Sequence, residues 1–177
     1  MPFLIKSLHL ISLGLWLGSV TFFSFFTALP IIHTYQNLAN QSDNWLGLKN
    51  ESEGTRAAGE ALGSVFARYF PFQVTCGAVA LLTALAWWGT PGLLHKARVI
   101  LLALALLLGV INLLVLAPRV GELRQQRYAS DLQIAAKADK AFGLAHTYSL
   151  LTDMTTLLLV IIAMILAAGL PNGAKAE

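Results

Sequence analysis

Four long apolar stretches constrain this chain more than any other feature of its sequence. They lie at 3–29, 71–89, 97–117 and 142–168. A bilayer core about 30 Å thick is crossed by about 20 helical residues, so each stretch is long enough to span it. Only 12% of the residues are charged and 56% are hydrophobic, whereas soluble domains carry about 25% charged residues. The sequence therefore predicts one all-α membrane domain, 1–177, folded as a bundle of four transmembrane helices.

The segments between the stretches are polar and define two kinds of connection. Residues 33–59 are rich in Asn, Gln, Ser, Glu and Gly, which predicts a long polar first loop after a helix ended by Pro30. Residues 60–70 predict a helix at the membrane interface, anchored by Phe66, Tyr69, Phe70 and Phe72. Residues 119–140 mix basic and acidic side chains and lack Pro, which predicts an exposed charged helix in the third loop.

Four spans place both termini on one side of the membrane, here called the terminal side. The first and third connections lie on the other, the loop side. The terminal side carries four Lys and Arg residues and the loop side carries eight. Because cytoplasmic segments are enriched in Lys and Arg, the count favours a cytoplasmic loop side and external termini.

Asp153 is a carboxylate inside the fourth apolar stretch, where burial in lipid alone would be costly. His146, Ser149, Asp153 and Thr156 follow i, i+3, i+7 and i+10, which places them on one helix face. Counting about 1.5 Å per residue brings polar side chains of every span into the same leaflet. The predicted intramembrane polar cluster, open toward the loop side, comprises Ser24, Gln73, Cys76, Asn112, Arg119, His146, Ser149 and Asp153.

This cluster has two main interpretations, and in a third Asp153 faces a partner subunit. Asn, Ser and Thr in membrane helices often only hydrogen-bond between helices, and a His146–Asp153 pair would fix the register of the fourth helix. The other interpretation is a pocket for an ion, a proton or a small solute. A buried Cys76 is typical of a small apolar core residue, and a single cysteine excludes an intrachain disulfide.

His9 lies in the first apolar stretch, about 9 Å below the terminal-side surface, whereas His146 lies about 6 Å below the opposite one. That separation prevents both from binding one metal ion. A haem or metal site at His9 or at His146 is a minor alternative, and Met164 is the candidate second ligand for His9. We expect no resident cofactor or metal, and we expect His33 and His95 to be solvated in loops.

Several classes of function lack support in the sequence. The basic residues form no stripe interleaved with aromatics, so a nucleic-acid partner is not expected. No nucleophile elbow or phosphate-binding glycine loop is present, so no enzymatic activity is expected. Gly14-x-x-x-Gly18 has the spacing that lets two membrane helices approach closely.

Short motifs in order along the chain carry a family resemblance. They are His9-Leu10, Trp16-x-Gly18, Thr21 to Phe26 and Pro30; Val65-Phe66, Tyr69-Phe70-Pro71 and Cys76-Gly77; Asn112 and Leu116-Ala117-Pro118-Arg119; and Phe142, His146 and Ser149. Together they resemble the transmembrane protein 205 family. The resemblance implies a compact four-helix membrane bundle without a settled activity, and it leaves residues 33–59 particular to this chain.

The leading hypothesis is a small integral membrane protein that acts as an accessory, assembly or scaffold component of a larger membrane complex. Its expected partners are the lipid bilayer and other membrane subunits. The alternatives are permeation of an ion, proton or small solute through the pocket around His146, Asn112 and Asp153, and a haem- or metal-binding protein. A bacterial plasma membrane or an organelle inner membrane suits the sequence equally.

Overall fold

The computed structural model describes residues 3–86 and 92–168, and every regular element in these ranges is helical. Four helices cross the bundle: α1 (Phe3–Ala39), α2 (Glu51–Leu85), α3 (Leu93–Gln126) and α4 (Leu132–Ala168). Each contains an apolar window long enough to cross a membrane. The predicted four-helix membrane bundle is thus confirmed. The end of the second predicted span, at 87–89, lies outside the described residues.

The prediction of a long polar loop at 33–59 was wrong, because α1 continues to Ala39 and α2 already begins at Glu51. The start of α2 is fixed by a variant of the capping box, in which Glu53 binds the amide of the residue before the N-cap Asn50. The side chain of Asn50 accepts a hydrogen bond from the Glu53 amide at 3.0 Å, and Glu53 Oε2 accepts one from the Lys49 amide at 2.8 Å. Residues 60–70 are therefore part of α2 and do not form a separate interfacial helix.

Proline does not end α1, contrary to the prediction from Pro30. The helix passes through a π-helical segment, Phe22–Ala28, directly before Leu29 and Pro30. α3 repeats this arrangement with a π-helical segment, Asn112–Leu116, directly before Ala117 and Pro118. A wider turn makes room for a ring that would otherwise clash with the carbonyl four residues earlier.

The predicted exposed helix at 119–140 was also wrong as a single element. Residues 117–126 extend α3, and α4 begins at Leu132 after a turn. Asp131 sets that beginning, because its Oδ1 accepts hydrogen bonds from the amides of Gln133 at 2.8 Å and Ile134 at 3.2 Å. The charged residues are therefore shared between two long helices.

Two apolar cores lie one above the other in the bundle. The larger, toward the terminal side, surrounds Trp16 and Leu102, both fully buried. The smaller, toward the loop side, contains Phe23, Leu62, Tyr69 and Phe70. Phe66, Tyr69 and Phe70 point into the bundle, so they do not act as the interfacial anchors that we predicted, whereas Phe72 is 44% exposed.

The helices are longer than a bilayer requires. With 34 to 37 residues each, they measure about 50–55 Å against a core of about 30 Å. α3 has no charged residue between Arg98 and Arg119, a distance of about 30 Å. Part of the surplus length lies on the loop side, where α3 continues for seven residues beyond Arg119; we call the loop-side ends of the four helices the projection.

Candidate functional site

Asp153 lies where the smaller core meets the membrane interior, and it is 8% exposed. Its Oδ2 accepts a hydrogen bond of 2.8 Å from the hydroxyl of Tyr69 on α2. The amide of Gln73 lies beside both groups, and the hydroxyl of Ser24 lies beside Tyr69. α1, α2 and α4 therefore meet at one buried carboxyl group. We call Ser24, Tyr69, Gln73 and Asp153 the carboxyl cluster.

Asn112 and Ser149 form a second polar contact, between α3 and α4. The Ser149 hydroxyl donates to Asn112 Oδ1 at 2.7 Å, and Asn112 Nδ2 donates to the Ser149 carbonyl at 3.3 Å. Asn112 is 1% exposed and is the first residue of the π-helical segment in α3. Each π-helical segment thus contributes one residue to a polar contact between helices. This residue is Ser24 in α1 and Asn112 in α3.

The other predicted members of the polar cluster lie elsewhere. The His146 ring stacks on Phe142 at a centroid distance of 5.5 Å, and the hydroxyl that binds Asp153 belongs to Tyr69. Cys76 is 6% exposed within the larger apolar core. Arg119 is an exposed side chain that pairs with Glu122 at 3.2 Å. Including Arg119 in an intramembrane cluster was therefore wrong, because it lies at the outer end of the charge-free segment.

Tyr69 belongs to the site, although its sequence context predicted a different role. It stands one residue after Arg68 and two before Pro71, a context typical of an interfacial anchor. Its ring instead packs on Phe23 at 4.4 Å and Phe70 at 5.1 Å. The sequence does contain a signal for this role, because Tyr69 places a hydroxyl on an otherwise aromatic and apolar helix face. A buried hydroxyl needs a hydrogen-bond partner.

A second buried polar group lies near the terminal side. His9 is fully buried, and its Nδ1 lies 2.9 Å from Thr83 Oγ1 and 3.1 Å from the Ala80 carbonyl. Arg98 is also fully buried, and its Nη2 lies 3.0 Å from Nδ1 of His95, which is 5% exposed. The expectation that His95 is solvated was wrong, because α3 begins at Leu93 and faces it inward.

These contacts define what the interior can do chemically. The carboxyl cluster offers one carboxyl, one phenol, one amide and one aliphatic hydroxyl, and these groups join three helices. Among residues 3–86 and 92–168, no group of three or more His, Cys, Asp or Glu side chains is arranged to hold a metal ion. Met164 is partly buried on α4, and the contacts of His9 described above run to α2.

The fold and these buried polar contacts define a multi-pass α-helical membrane protein. The chain belongs to the DUF4149 family, a domain of unknown function, whose family model matches residues 11–129. The match covers two thirds of the chain and includes α1 from residue 11 onward and all of the described parts of α2 and α3. Neither the curated proteins nor the solved structures contain a significant match to this chain.

Proposed function

We propose that this protein is a non-enzymatic accessory or scaffold subunit of a membrane complex. The observation that carries the proposal is the projection on the loop side. Beyond the level of Arg119 and Phe142, α3 continues for about 10 Å to Gln126 and α4 for about 15 Å to Leu132. A protein that only needed to anchor itself would not require this length, whereas a subunit that positions a neighbour outside the membrane would.

Contacts between helices support a rigid projection. Arg124 on α3 donates from Nη1 to the Gly59 carbonyl on α2 at 2.5 Å. Gly54 on α2 lies so close to Tyr35 and Ala39 of α1 that a Cβ atom there would be 2.6 Å from the Tyr35 carbonyl oxygen. Arg127 pairs with Asp139 at 2.6 Å and joins the ends of α3 and α4. All four helices are thus tied together outside the membrane.

Trp45 is a candidate contact at the tip of the projection. It lies in the connection between α1 and α2 and is 81% exposed. Tryptophan is enriched among the residues that dominate binding energy at protein interfaces.

Purification from native membranes in a mild detergent, followed by mass spectrometry, tests this proposal. We expect partner chains to copurify with the wild type and to be depleted at least tenfold in Trp45→Ser. Tyr148→Ser, at an exposed aromatic on the bilayer part of α4, is the control and should retain them. Recovery of the wild type as a lone monomer would contradict the proposal.

Proton or ion binding at the carboxyl cluster is the second candidate function. It is favoured by the burial of a polar amide beside the carboxyl group, since Gln73 is 2% exposed and lies next to Asp153. In this case Asp153→Asn should abolish proton or cation flux in liposomes while the protein still folds. Flux equal to that of the wild type would eliminate this candidate.

The finer relationship to the transmembrane protein 205 family remains a proposal that rests on the motif order alone. So does residence in a bacterial plasma membrane or an organelle inner membrane.

A further inference from the structure

A groove between α3 and α4 lies at the loop-side edge of the bilayer. Its floor is apolar, with Leu123 3% and Ala138 4% exposed, and Ala141 lies at one end. Arg119 and Lys137 line it and are exposed. The groove therefore combines an apolar floor with two cationic side chains.

Contacts between the two helices place this groove relative to the membrane. Asn112 and Ser149 lie at the same level, because they are hydrogen-bonded. Moving seven residues outward along each antiparallel helix reaches Arg119 on α3 and Phe142 on α4. Arg119 ends the charge-free segment of about 30 Å, so this level marks the boundary of the hydrocarbon core.

The groove extends outward from that boundary through the headgroup layer. Lys137 stands five residues before Phe142, which places it about 7 Å outside the core. The headgroup layer on each side of a bilayer is about 5–7 Å thick. Arg119 and Lys137 therefore bracket the depth at which lipid phosphates lie, and Ala141 adjoins the acyl chains.

The acidic side chains nearby leave this positive charge largely available. Glu122 pairs with Arg119 at 3.2 Å, but both side chains are more than half exposed, so the pair is weak. A guanidinium has five N–H donors, so Arg119 can bind a phosphate while it remains paired with Glu122. Asp139 pairs with Arg127 instead.

We propose that this groove binds the headgroup of an acidic phospholipid, with Arg119 and Lys137 contacting its phosphate. Basic grooves between helices at a membrane surface attract anionic headgroups. One acyl chain would descend from Ala141 along the apolar surface of α3 and α4. The site is independent of the scaffold role, which depends on the tip of the projection.

Native mass spectrometry of the full chain, titrated with phosphatidylglycerol or phosphatidylcholine in detergent, tests the proposal. The wild type should retain one phosphatidylglycerol in preference to phosphatidylcholine. Each basic side chain near an anionic lipid contributes substantially, so Arg119→Gln with Lys137→Gln should weaken that binding on the order of thirtyfold. Arg119→Lys alone should retain most of it.

The matched control is Lys49→Gln with Arg68→Gln, which removes the same number of positive charges from positions outside the groove. We expect this control to bind phosphatidylglycerol like the wild type, and thermal unfolding confirms that each variant is folded. Equal retention of the two lipids, or equal weakening by both double variants, would overturn the proposal. Displacement of the lipid by equimolar inorganic phosphate would also overturn it, since the groove would then be a free-phosphate site.

Discussion

At the scale of single residues, the buried polar side chains are the main departure from an apolar interior. Asp153 would be costly alone in lipid, and Tyr69 offsets part of that cost by donating a hydrogen bond. A carboxyl group held by one phenol is specific in geometry, because the donor stands on a different helix. Tyr69 and Asp153 thus fix how α2 packs against α4.

Removing the Tyr69 hydroxyl tests that assignment. We expect Tyr69→Phe to lower the free energy of unfolding by about 1–2 kcal/mol, because Asp153 loses its donor while the aromatic packing is kept. Thermal or denaturant unfolding in detergent measures it. Tyr148→Phe makes the same change on a side chain that is 61% exposed and should be neutral. Equal effects of the two substitutions would mean that the hydrogen bond contributes nothing.

At the scale of helices, close approach is set by a different glycine than the sequence motif indicated. Gly14 and Gly18 have the helix-approach spacing, yet nothing would lie within 4 Å of a Cβ atom at either position. Gly77 on α2 instead receives the Trp16 ring of α1, and a Cβ atom there would lie 2.7 Å from it. The α1–α2 contact therefore depends on Gly77.

Alanine substitutions separate these two glycine positions. Gly77→Ala should destabilise the bundle by about 1–3 kcal/mol, because the new methyl group overpacks against Trp16. Gly18→Ala should be neutral or slightly stabilising, since alanine is the better helix former and the space is open. Both are measured by unfolding in detergent. A larger loss for Gly18→Ala would show that the predicted motif packs against a neighbour after all.

The projection depends on a contact that only the assembled helices provide. Arg124→Ala should increase hydrogen–deuterium exchange of the α2 amides at 54–63, because the side chain no longer binds the Gly59 carbonyl. Exchange in the bilayer part of α2 should be unchanged. Arg119→Ala, which removes an exposed arginine five residues earlier on the same helix, is the control. Unaltered exchange in Arg124→Ala would show that the projection is held by apolar contacts alone.

At the scale of the whole molecule, the helix lengths and the charge distribution set an orientation. Both turns of the loop side, at 40–50 and 127–131, face the same compartment, since α1 and α3 run in the same direction. The excess of Lys and Arg on that side predicts that it is cytoplasmic.

Labelling of single cysteines tests this topology. Ser42→Cys and Ser130→Cys, one in each loop-side turn, should react with a membrane-impermeant maleimide only after cells are opened. The native Cys76 is buried and should remain unlabelled in the folded protein. Labelling of both variants in intact cells would show that the protein has the opposite orientation. Labelling of only one variant would contradict the four-span fold.

The sequence by itself determined the class of fold, since four apolar stretches of about 20 residues have no stable alternative to spanning helices. It also indicated that Asp153 is buried, because a carboxylate in such a stretch must avoid lipid. Local signals for the helix ends, such as the Asn50–Glu53 capping box, were present but outweighed by the polar composition of 33–59.

The tertiary structure alone decided which side chains meet. Depth counting places residues along the membrane normal but contains no information on the rotation or tilt of a helix about its neighbours. Tyr69 could therefore be taken for an interfacial anchor, His146 for the partner of Asp153, and His95 for a solvated loop residue. Packing of four helices fixes their rotation, and that rotation turned Tyr69 and Arg98 inward and left His146 stacked on Phe142.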